Sequence, residues 1–114
     1  MTMSDRELLK MAAKAAGFAW VDGHVSTGLR DRDGRVWNPL TDDGDALRLF
    51  LALPWMCLEI SDVGVTVSER GNPDEPSRVY LMWTEWLDKH SNDLAAATRR
   101  AIVRAAAEIG RKMK

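Results

Sequence analysis

The sequence is poor in several residue types on which small folds and active sites are often built. One cysteine, Cys57, stands among 114 residues, so no internal disulfide forms and the stapling typical of small secreted domains is excluded. Histidine occurs twice. His24, His90 and Cys57 are together too few for a structural zinc site, which takes four ligands. Neither sign of charge dominates: 16 Lys and Arg against 17 Asp and Glu leave a net −1, so no global field draws the chain to nucleic acid or to an anionic membrane. No apolar run reaches the length of a membrane span, and Met1 to Glu7 carries charges where a secretory signal would be apolar. A cytoplasmic protein with no membrane partner is expected. A P-loop, a Gly-rich dinucleotide turn and a nucleophile elbow are also missing. The chain therefore reads as a non-enzyme, with neither cofactor nor metal expected.

What is present suits one globular domain spanning residues 1–114, with 46% hydrophobic and 29% charged residues. Ser4 with Glu7 forms a capping box, and Leu8, Leu9, Met11, Ala12, Ala15 and Ala16 then recur at helical spacing until Gly17. Turn signals at Ser26-Thr27-Gly28 and Asp33-Gly34 predict a hairpin pairing the Leu29 region with Arg35-Val36-Trp37. Pro39 and the Thr41-Asp42-Asp43 cap open a second, short helix, whose Ala46, Leu47, Phe50 and Leu51 are read as its apolar face until Pro54. Cys57 to Ile60 and Val63 to Val67 read as strands, and residues 70–77 as a loop. Residues 78–87 fit a third strand ending in an irregular aromatic segment. Ser91-Asn92-Asp93 caps a final alanine-rich helix from Leu94 to about Met113. The order is α-ββ-α-ββ(β)-α, an α+β layered sandwich of helices on an antiparallel sheet.

Two stretches carry a resemblance. WNPLTDDGDALRL at residues 37–49 and ATRRAIVRAAAEIG at residues 97–110 resemble the small bacteriophage and prophage proteins with a phage ABA sandwich domain. NinX-like lambdoid-phage proteins look like more distant relatives. The resemblance implies a viral origin and a sandwich fold but brings no catalytic residues. Together with the missing catalytic signatures and the tryptophans expected at the surface, it favours an accessory protein acting by contact with a host or phage protein.

Each residue with chemical promise also has a structural reading. Trp37, Asn38, Pro39, Asp42, Asp43 and Asp45 are read as a strand end, turn and helix cap. Carboxylates at a helix N-terminus meet free amides and a favourable dipole, and calcium-loop spacing is absent. Cys57, opening an apolar strand, is read as a buried and unreactive thiol. On the last helix Leu94, Ala97, Ala101, Ile102, Ala105 and Ile109 share an arc, while Arg100, Arg104 and Arg111 form a stripe on another face. That stripe is either a solvated face near a helix C-terminus or a phosphate site. Trp83 and Trp86, among five tryptophans, either pack over the sheet edge or offer an interface or ring-stacking surface. Arg100, Arg104, Trp83 and Trp86 are thus the candidate ligand residues. They belong to an alternative in which the protein sequesters a nucleotide signal of host defence. The alanines of the last helix also leave room for a homo-oligomer.

Overall fold

The computed structural model describes residues 4–18, 29–30, 35–53, 56–69 and 82–113. Helix α1 (Asp5–Ala16) begins where the Ser4 side chain accepts the Glu7 amide and ends at Gly17, whose φ of 74° lets the chain close the last turn. Strands β1 (Leu29–Arg30) and β2 (Val36–Trp37) pair antiparallel, Leu29 opposite Trp37. This is the register of the expected hairpin, whose turn lies outside the described residues.

Helix α2 (Asp43–Ala52) is capped by Asp42, which accepts the Asp45 amide. Its apolar face differs from the expected one. Ala46 and Leu49 are buried, Phe50 half-buried, while Leu47 and Leu51 are 57% and 72% exposed. Packed against α3, the helix is rotated so that Leu49 points inward and Leu47 and Leu51, one turn apart, point outward.

Strands β3 (Met56–Ile60), β4 (Gly64–Glu69) and β5 (Met82–Trp86) form an antiparallel sheet in that order. Val63, expected in the second strand, lies in the turn before Gly64 and is exposed. The loop expected over residues 70–77, and residues 78–81 of the third strand, lie outside the described residues. The register places Leu58 opposite Val67 and Ile60 opposite Val65, and these in turn opposite Trp83 and Glu85. These six side chains share one face. Cys57, Glu59, Thr66 and Thr84 take the other, where the Thr66 and Thr84 hydroxyls bond at 3.0 Å. Cys57 is therefore half-exposed on a polar face, not buried as expected, because strand parity sends it away from its apolar neighbours.

A 3-10 turn (Leu87–His90) and the left-handed Ser91 and Asn92 lead into α3 (Leu94–Lys112), capped by Asp93. Helix α3 is the spine. One side lies on β4 and β5, a second receives α1 and a third receives α2. This explains its alanine content: Ala97, Ala101, Ala105, Ala106 and Ala107 are all buried. Gly110 lies so close to α1 that a Cβ there would overlap the Met11 carbonyl. The small side chains at these positions are thus used within the chain, while Ala95, also among those that suggested self-association, is exposed. Leu94, expected in the buried arc, is 42% exposed, because it stands in the first turn, beyond the sheet and α1. The result is an α+β fold with helices packed on an antiparallel sheet. Among the described residues no helix is long and apolar enough to cross a membrane.

Candidate functional site

The Trp37 to Asp45 run folds into a knot of local bonds. Asn38 Oδ1 accepts the Leu40 amide and its carbonyl accepts the Thr41 and Asp42 amides, while Asp45 Oδ2 accepts the Asn38 amide at 2.9 Å. Pro39 is fully buried. Asp45 also holds Arg48 at 2.7 Å, and Asp43 holds Arg99 at 2.6 Å, whose Nε donates to the Leu40 carbonyl. Each carboxylate of the run has a structural partner, and among the described residues no cluster of three or more His, Cys, Asp or Glu is placed to hold a metal ion. Trp37 packs edge-on against Phe18 with ring centroids 5.7 Å apart.

The candidate ligand residues separate. Trp83 and Trp86 are three apart on a strand, so they lie on opposite faces. Trp83 points toward α3, whereas Trp86 is 53% exposed beyond Gly64. Arg100 pairs with Asp5 at 3.0 Å, Arg111 pairs with Glu108, and Arg104 lies over the Trp83 ring with Nη1 3.0 Å from Glu85. Arg104 and Trp83 do meet, but around a carboxylate. Glu85, 6% exposed, accepts from Trp83 Nε1 at 2.8 Å and lies 2.8 Å from His90 Nε2. Burial, the largest single influence, opposes its ionisation. The bonds from His90, Trp83 and Arg104 and the Arg104 charge together outweigh it, and hold the carboxyl below its ordinary value. An ionised carboxylate only accepts, so Nε2 of His90 carries a proton here. A phosphate on Arg104 would meet the Glu85 carboxylate, which lies 3.0 Å from the same guanidinium. Glu85 and Arg99 escaped the sequence reading, and His90 entered it only as a zinc-ligand candidate. The parity of Trp83 and Glu85 on one strand face was the available signal for the first.

A second feature with binding geometry lies elsewhere. A groove of about 510 Å³ opens between α2, β3 and the N-terminal half of α3. Asp43, Ala46, Leu47 and Phe50 line it at helical spacing from α2, and Leu58 and Ile60 at strand spacing from β3. Leu94, Ala95, Thr98, Arg99 and Ile102 complete it from α3. Its walls are apolar, and Leu47, Ile60 and Leu94 on them are 57%, 54% and 42% exposed. Its polar lining residues are Asp43 and Arg99, paired with each other, and Thr98, whose hydroxyl donates to the Leu94 carbonyl. Such a concavity has the shape and apolar lining that suit apolar side chains.

Compared with known proteins, the chain matches no family model, no curated protein and no solved structure.

Proposed function

We propose that this chain is an accessory protein of a bacteriophage or prophage that acts without catalysis, by binding a host or viral protein in the groove between α2, β3 and α3. The observation that carries the reading is the exposure of Leu47, Ile60 and Leu94 around one apolar concavity. Exposed apolar side chains gathered around one concavity are typical of an interaction site. The resemblance of residues 37–49 and 97–110 to phage ABA sandwich proteins supports the viral origin. Nucleotide sequestration is the weaker alternative, since Asp5 and Glu85 already hold Arg100 and Arg104.

The test is affinity capture from uninfected and phage-infected bacterial lysates, with the parent and a Leu47→Asp/Leu94→Asp variant. Both positions are exposed, so the variant's stability should stay within about 1 kcal/mol of the parent's. The parent is expected to retain a specific protein that the variant loses. Equal retention by both, or none by the parent in either lysate, overturns the proposal.

A further inference from the structure

We infer that the occupant of the groove is an extended segment of another protein that adds antiparallel to the β3 edge, with apolar residues at alternate positions and Lys or Arg flanking them. The inference rests on the groove being a binding surface and names what it binds.

Hydrogen-bond parity makes the first argument. Ser61 N donates to the Gly64 carbonyl at 2.9 Å, so residues 61 and 64 are a bonded pair. Bonded pairs alternate along an antiparallel ladder, which makes 59 with 66 and 57 with 68 the next ones. The main-chain N–H and C=O of Leu58 and Ile60 therefore point away from β4, and among the described residues no strand pairs with β3 on that side. The same two residues line the groove with their side chains. A strand laid there would receive main-chain bonds and apolar contacts from the same pair of residues, which is how strand addition combines affinity with side-chain selection.

The two edges of the sheet also differ. Strand β5 carries the inward-pointing charge of Glu85, a device that blunts edges. Strand β3, Met56-Cys57-Leu58-Glu59-Ile60, carries no Lys, no Pro and no inward charge. Its edge is left able to pair.

Charge completes the description. Asp43 stands in the lining, Asp42 and Asp93 cap the two helices at that end, and the exposed Glu59 and Asp62 flank Ile60. Against them, among the described residues, stand Arg48, which faces Asp42 and Asp45, and Arg99, which pairs with Asp43, so that Asp93, Glu59 and Asp62 remain in excess. The surroundings are acidic although the whole chain is nearly neutral, and they favour a segment with basic flanks.

The experiment is calorimetric titration of the full chain with the heptapeptide Lys-Ile-Thr-Val-Thr-Ile-Lys, its Glu-flanked counterpart, and two N-methylated forms. In an antiparallel pair the residues that bond to Leu58 and Ile60 have their side chains on the groove side, so methylating the Ile and Val amides removes the pairing and methylating the Thr amides does not. The expected result is binding of the Lys-flanked peptide that is weakened at least tenfold by Glu flanks and by Ile/Val methylation, and kept on Thr methylation. Equal effects of the two methylations, or equal binding of the Lys- and Glu-flanked peptides, overturns the inference while leaving the groove reading to the capture experiment. Absence of binding by every peptide overturns it as well. So does sedimentation of the parent alone as a dimer that Ile60→Lys abolishes, because the occupant would then be a second copy.

Discussion

At Glu85 one carboxylate binds Trp83 on its own strand, His90 in the 3-10 turn and Arg104 on α3, which couples its ionisation to folding. Its pKa is lowered in the folded state. The stabilisation it contributes is therefore fully present above the unfolded value, about 4.3, and is lost as pH falls through the folded value. Glu85→Gln should cost about 1.5–3 kcal/mol at pH 7 by denaturant titration and should flatten the acid side of the stability profile. An unchanged acid limb would show that other carboxylates govern it. Gly110 is the matching test of packing. Gly110→Ala places a methyl group against the Met11 carbonyl, and about 3 kcal/mol or more should be lost, read as a lower denaturation midpoint. Cys57 belongs to the same scale: half-exposed on the outer face of the sheet, it should react with a thiol reagent without prior unfolding, at a rate independent of denaturant at low concentration.

Among the elements, α2 depends most on local chemistry. Asp42 is its cap, so Asp42→Ala should cost about 1 kcal/mol. Asp45 satisfies the Asn38 amide and holds Arg48, so Asp45→Ala should cost more, about 1.5–3 kcal/mol by thermal or chemical melts. The reverse order would mean that the turn is held by something other than Asp45. These bonds also explain what could be read in advance. Caps and turns are local, and Ser4, Gly17, Asp42 and Asp93 bound their helices where the sequence places the signals. The rotation of α2 was not legible: Leu47, Leu49, Phe50 and Leu51 are all apolar, and the choice among them is made by α3, which is distant in sequence. Likewise the stripe of arginines on α3 was visible, but the carboxylate partners of Arg100 and Arg104 come from α1 and β5. The parity that separates Trp83 from Trp86, and turns Cys57 outward, was readable from strand spacing alone once the strands were placed.

For the molecule as a whole, the division of labour runs along α3. Its C-terminal half is enclosed by α1 and the sheet through alanines and Gly110, while its N-terminal turns, with α2 and β3, are left facing a groove. The enclosed half accounts for the fold and the open half for the proposed contact with another protein. Sequence could reveal the first because small residues on several sides of a helix announce close packing. The second was hidden, since a groove is made by the spacing between elements and not by any one of them. The measurement that bears most directly on this account is amide hydrogen exchange of the protein alone and in complex with the partner that it captures. The account predicts new protection at Leu58 and Ile60 on β3 and around Leu47 on α2, with the Trp83–Glu85–Arg104 region unchanged. Protection centred on Arg100, Arg104 and Trp83, with β3 unaffected, would contradict it.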